Sequence, residues 1–431
     1  MDRTLVLRAC LVSCLVFLFS GILWEARATE YYVATNGNDS NPGTIDRPWR
    51  TINHAADVMV AGDIVYVRGG TYNEGSAPEW DYPAVNPAHS GTADAPITFK
   101  AYPGETVEVQ ANGAAIGSHA RDYIVWDGFT FRRAILYGES PRMEGCVIQN
   151  CIVEGTYAPT TDNHDGIRLE HCTVGTIIRD NIVRNTTGDS KNSAGIKLYD
   201  NDNVLIEHND IYGNTVGIFD KSWSIDCTYR RNLIHDNDSL NFYLHTSSGD
   251  HTRGTTFYEN ILYNGSGIYF ETDPGTDFAN TEIYNNVLPY IHPIYAPNLQ
   301  IWNNIVSSGY LCREDGTPTY SDYNDFWAGQ HFETGVYTEE HEIYDTLGEW
   351  QSGTGLDTNS IHQDPDFVNP GNYDFHLDEG SPCAGTGKEG ADMGAYPRDD
   401  DTVIGPRNGE GEGSPPAGGD KPQIVRVLIK Y

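Results

Sequence analysis

The chain has 431 residues, a formal net charge of −34 and a pI near 4.5. So acidic a balance argues against nucleic acid and anionic membrane surfaces as electrostatic partners. With 45 Gly and 27 Tyr, and little Lys or Met, the composition suits a turn-rich β solenoid, whose core grows along one axis and so escapes the usual two- or three-domain expectation for this length.

Residues 1–28 read as a secretory signal peptide: Arg3 and Arg8, an apolar run from Ala9 to Trp24, then Ala26-Arg27-Ala28 as a small-x-small cleavage site. Leu11-Val12-Ser13-Cys14 resembles a lipoprotein box, but the apolar run continues beyond Cys14, so cleavage after Ala28 is preferred. No later stretch is long and apolar enough to span a membrane. The expectation is an exported monomer, extracellular or periplasmic.

Residues 29–110 form an N-terminal cap and first coils. Tyr31-Tyr32-Val33 is a strand, and Thr51 caps a helix through about Val60 with Ile52, Ala55, Ala56 and Met59 on its apolar face. A strand at Ile64-Val65-Tyr66-Val67 follows. The Asn38-Asp39 loop reads as a plain turn in preference to a calcium loop.

Residues 111–396 are read as the solenoid proper with its closing segment. The stretch from Ser193 to Thr215 sets the pattern, with short alternating runs at 195–199, 204–208 and 210–212 punctuated by Asn, Asp and Gly. Three strands in so short a span make one coil of a parallel β-helix. A turn asparagine recurs at Asn150, Asn181, Asn209, Asn232, Asn260, Asn286, Asn304 and Asn324, at irregular intervals but in a fixed local pattern. Loop lengths therefore vary while one turn is kept, and stacked asparagine amides form a ladder along the axis. Residues 364–396 read as a closing segment, 397–421 as a Gly/Pro/acid-rich flexible linker and 422–431 as a β-prone tail.

Six cysteines follow the leader: Cys146, Cys151, Cys172, Cys227, Cys312 and Cys383. None has metal-site spacing. Pairing of Cys146 with Cys151 or Cys172 and burial as small apolar residues both stay open.

Alignment of the Gly-Ile strands puts Ile167, Ile196, Ile218, Phe242 and Ile268 inward, so their neighbours point out. One outer column is Arg168, Lys197, Phe219, Tyr243, Tyr269; the next is Glu170, Tyr199, Lys221, His245, Glu271. Cations beside aromatics on a sheet face suit an acidic polysaccharide, through charge on its carboxylates and stacking on its sugar faces. The bland alternative is a solvated face with cross-coil pairs such as Glu170 with Lys197.

The coils Asn163-His164-Asp165-Gly166-Ile167-Arg168-Leu169 and Ala194-Gly195-Ile196-Lys197-Leu198 resemble the catalytic coils of pectate lyase-like right-handed β-helix proteins, especially polysaccharide lyase family 9. The resemblance implies β-elimination on a uronate polymer, with Lys197 as base and with Asp162 and Asp165 as what remains of a Ca2+-binding coil. The family's cluster of acids is reduced here to Asp162-Asn163-His164-Asp165, and Ca2+ wants six to eight oxygen ligands. His164 with Arg168 and Lys197 is the metal-free alternative for neutralising the substrate carboxylate. Arg168 favours the free amine of Lys197, while Tyr199, Lys221, Tyr243 and His245 are the expected substrate contacts, Tyr243 or His245 serving the leaving oxygen. Three other readings remain: a glycoside hydrolase, a C5-epimerase and a non-catalytic glycan-binding protein.

Overall fold

The computed structural model describes residues 28–396 and 404–407, apart from 156, 159–162, 189, 248–249, 274–276, 295, 297, 314–315 and 337–340. The signal-peptide reading, Asp162, and nearly all of the linker and tail therefore lie outside the described residues.

Each coil contributes one strand to each of three long sheets, of 12, 12 and 11 strands, in which neighbours are successive turns of the chain. Nearly every pairing is parallel, as in Ile167↔Ile196 and Leu205↔Thr228. The central coil has strands Ala194–Tyr199, Leu205–Glu207 and Asp210–Tyr212, as its alternation predicts. Such short strands suffice because every inward residue stacks on its equivalent one coil away. Ile167, Ile196, Ile218, Phe242 and Ile268 are all fully buried in one continuous core.

The asparagine ladder is real and runs from Asn181 to Asn324. Each amide donates to the next asparagine's Oδ1 at 2.9–3.1 Å. It also donates to a carbonyl of the preceding coil, as Asn260 does to Tyr229 O at 2.9 Å. The residue before each ladder asparagine is left-handed; Asp180, His208, Arg231, Glu259, Asn285, Asn303 and Tyr323 have φ of 53–57°. That turn buries the asparagine side chain where side-chain amides must replace the missing backbone partners. Asn150 is a correction to the predicted series. It occupies the left-handed corner at φ 54°, and Cys151 holds the ladder position, donating its N–H to Asn181 Oδ1 at 2.9 Å.

Both ends are capped, which covers strand edges that would otherwise template aggregation. The first helix, Ile52–Val58, has Thr51 as N-cap, its hydroxyl accepting from His54 N at 3.1 Å. A second helix, Leu347–Thr354, was not apparent from the sequence. Its Trp350 is buried against Phe332, Tyr310 and Tyr344 at the far end of the core. The six cysteines among the described residues are free and buried, so they fill coil interiors.

Candidate functional site

The second 12-stranded sheet carries the predicted columns in the expected register: Arg168↔Lys197↔Phe219↔Tyr243↔Tyr269 and Glu170↔Tyr199↔Lys221↔His245↔Glu271. Alternation had placed these side chains outside the core, and they are. It had also implied an open face, and that is corrected: Lys197 has no exposed surface, and Arg168, Glu170 and Tyr243 are buried. An outer apolar cluster of Ala194, Val216, Phe219, Leu240 and Tyr243 accounts for part of the cover.

Lys197 Nζ donates to the Asn163 side-chain oxygen and to Asn192 O at 3.0 Å. Asp165 Oδ1 lies 4.0 Å away, and the Phe219 ring centroid 5.3 Å away. Asp165 is itself fully buried; its Oδ2 accepts from Arg168 at 3.1 Å, and Arg168 also pairs with Glu170 at 2.8 Å. Glu170 thus partners Arg168 within its own coil, in place of the expected cross-coil pair with Lys197. Burial lowers the Lys197 pKa to about 8; Asp165 opposes this, while Arg168 and Lys221 reinforce it. Burial alone would depress Arg168 too, but Asp165 and Glu170 outweigh it and hold its pKa up.

The remaining predicted residues spread along the same face. His164 is half-buried beside Asp165, and Tyr199 is half-buried one coil from Lys221. Lys221 Nζ reaches Asn192 Oδ1 at 3.5 Å. Phe219 stands between Lys197 and Tyr243 in the column and stacks on Tyr243 at 4.6 Å. The Tyr243 hydroxyl donates to Glu271 at 2.6 Å, and burial with that carboxylate raises its pKa. Burial lowers the pKa of His245, whose Nδ1 is enclosed without a partner.

Of the two nominated Ca2+ ligands only Asp165 is described, and among the described residues it has no oxygen free of a cationic neighbour to offer a metal. One Asp165 oxygen is taken by Arg168 and the other faces the Lys197 ammonium, so a divalent cation would meet two positive charges instead of an oxygen cage. Among the described residues no three His, Cys, Asp or Glu side chains converge on a common point.

Sequence reading missed four contributors. Asn163 and Asn192 hold the amine, and as loop asparagines they carry no chemical signature. Arg133, just before the strand Ala134–Tyr137, and Trp80, 57 % exposed in the loop ahead of Pro83–Val85, come from earlier coils. Arg168 places its guanidinium 5.4 Å from the Trp80 ring centroid, and Tyr137 meets the same ring edge-on at 5.7 Å.

A family model described as "Pel9A-like, right handed beta helix region" matches residues 31–373. The uncharacterized protein YwoF of Bacillus subtilis is 24% identical over 456 residues, covering 83% of this chain and 93% of that protein. Pectate lyase PEL9 of Emericella nidulans is 38% identical over 92 residues, a segment that is 21% of each chain. Among solved structures, pectate lyase Pel9A superimposes with a TM-score of 0.53 at 15% identity, covering 86% of this chain and 97% of that one.

Proposed function

Since this chain belongs to the Pel9A-like right-handed β-helix family, we propose that it is an exported polysaccharide lyase that cleaves a uronate polymer by β-elimination with Lys197 as base. The observation that carries this reading is the Lys197 amine itself. It is buried on the outer face of the sheet, beside Arg168 and Asp165, with a pKa lowered to about 8. A lysine whose pKa lies near the working pH combines a useful fraction of free amine with basicity enough to take a carbon-bound proton.

In the proposed reaction Lys197 Nζ takes the C5 proton, α to the uronate carboxylate. The C4–C5 double bond forms as the C4–O bond breaks, and the departing oxygen takes a proton from water. Negative charge gathers on the carboxylate during this step, and fixed cations in a low-dielectric site stabilise it. Arg168 is held rigidly for that role by its two carboxylate partners. Tyr243 stays protonated, but with its hydroxyl on Glu271 and Phe219 between it and Lys197, it serves a neighbouring sugar better than the leaving oxygen. No step is routed through Ca2+.

The pair Glu170 and Glu271 gives no support to hydrolysis. They are four coil steps apart in one column, about 19 Å at the usual strand spacing, whereas glycosidase carboxylates lie roughly 5–9.5 Å apart. One observation favours a second reading, a non-catalytic glycan-binding protein: the amine is already satisfied by Asn163 and Asn192.

The test is absorbance of the unsaturated product near 235 nm, about where a conjugated uronate absorbs, with polygalacturonate, alginate and glycosaminoglycans as substrates. Lys197→Ala is expected to lower the rate roughly 10²–10⁴-fold, the range for losing a general base. In the wild type kcat/KM should rise as pH passes through about 8, since the amine is the active form. Chelator should leave the rate unchanged. A signal that survives Lys197→Ala would reject Lys197 as the base, and no signal on any polymer would reject the lyase and favour the binding reading.

A further inference from the structure

The corner where Arg133, Asp165 and Lys197 meet contains two unmet hydrogen-bonding needs. Arg133 Nε is a buried donor without a partner, and Asp165 Oδ1 is a buried acceptor without a hydrogen bond. The backbone brings them together: Ala134 N–H donates to Gly166 O at 2.8 Å, setting Arg133 beside the Asp165-Gly166 turn of the next coil. Asp165 is the carboxylate that acts on Arg133 and Arg168 the cation that opposes it, yet Arg133 makes no ion pair with Asp165. Buried polar groups are satisfied in the great majority of folded proteins, so an unmet donor and an unmet acceptor in one corner call for a partner, either solvent or ligand. A water molecule would serve both atoms, but it would leave the charge uncorrected. Among the described residues, Arg133, Arg168 and Lys197 set three cations against the two carboxylates Asp165 and Glu170 in a low-dielectric enclosure, where each uncompensated charge is costly.

A sugar acid offers all that the corner lacks: a carboxylate to accept from Arg133, one negative charge, and hydroxyls that donate. We propose that Arg133 and Asp165 form the recognition pocket for a single uronate residue, with Arg133 donating to its carboxylate and Asp165 Oδ1 accepting from one of its hydroxyls. This rests on the uronate reading above and deepens it by naming what selects the acid. The pocket adjoins the base, because Asp165 Oδ1 is also the oxygen 4.0 Å from Lys197 Nζ. Asn163, an exposed residue bonded to Nζ, is the contact that an entering sugar replaces.

Calorimetric titration of the full chain with hexamers of galacturonate, mannuronate and glucuronate, and with their carboxyl-reduced neutral counterparts, tests this. One acid should bind the wild type at least tenfold tighter than its neutral counterpart. Arg133→Gln should lose about tenfold or more of the affinity for the acid, the usual worth of a charge-assisted hydrogen bond, and little for the neutral sugar. Arg133→Lys should recover part of the loss, and it carries the test if the Gln variant does not fold. Acid selectivity retained in the folded variant, or no preference for any acid in the wild type, overturns the proposal. The 235 nm signal from the same samples separates the two ideas. Selective binding without product leaves Arg133 recognition standing and removes the lyase; product with undiminished binding by Arg133→Gln does the reverse.

Discussion

A charged side chain in this solenoid is defined by which face of its strand it occupies. Lys197 and Asp220 sit one register step from each other's columns, yet Lys197 points out into a polar network and Asp220 points into the core between Leu198 and Leu244. Asp220 is fully buried, with Ser224 and the Tyr229 hydroxyl (2.7 Å) as its partners. Burial raises its pKa to about 6 despite those two bonds. The unfolded chain releases this proton near the ordinary value of 3.8, so between there and about pH 6 the folded state holds more protons. The Asp220 contribution is therefore complete below the unfolded pKa and lost as pH rises through about 6, amounting to roughly 2–3 kcal/mol. Asp220→Asn should accordingly be about 2 kcal/mol more stable than wild type at pH 7.5, with the two converging near pH 4. Urea unfolding at both pH values reads this directly, and an equal difference at both would rule out titration of Asp220 as the cause.

At the scale of elements, the ladder asparagines repeat one set of bonds coil after coil. Asn260 accepts from Asn232 N and Nδ2, both at 3.0 Å, and donates to Tyr229 O, Tyr258 O and Asn286 Oδ1. Asn260→Ala leaves a buried N–H and buried carbonyls without partners, which should cost about 3 kcal/mol or more. Asn150, the exposed corner residue, bonds only Asp127 through its side chain, at 2.7 Å. Because glycine accepts its left-handed φ without strain, Asn150→Gly should cost about 1 kcal/mol. Comparison of denaturation midpoints checks the pair, and equal losses would mean that the ladder has no special stabilising role. The same logic explains why the second helix escaped sequence reading. Leu347 and Trp350 are its only buried residues, too few for a periodic pattern, and tertiary contact with Phe332 and Tyr310 supplies the rest.

Over the whole molecule, the charge of −34 works against the acidic substrate proposed above. A polyuronate approaching the site meets long-range repulsion from the chain and short-range attraction from Arg133, Arg168, Lys197 and Lys221. Salt screens separated, exposed charges far more than buried neighbours. Raising NaCl from about 10 to 150 mM shortens the Debye length from roughly 30 to 8 Å, so kcat/KM on the polymer should increase several-fold. A steady fall across that range would mean that exposed basic groups, and not the buried network, govern encounter.

The sequence by itself determined the architecture, because a β-helix is written as a local rule. Period-two alternation selects inward and outward residues, and turn residues such as Asp180-Asn181 or Arg231-Asn232 repeat at each corner, so the outer columns from Arg168 to Glu271 could be aligned before any coordinates. Family resemblance then drew attention to Lys197. Only the tertiary structure decided the state of that lysine. Its burial, its bonds to Asn163 and Asn192, the capture of Asp165 by Arg168 and the arrival of Arg133 and Trp80 from earlier coils all depend on loops whose lengths follow no repeat. Alternation tells which face a side chain takes; it carries no information about what lies over that face, and it is this covering that sets the electrostatics of the site.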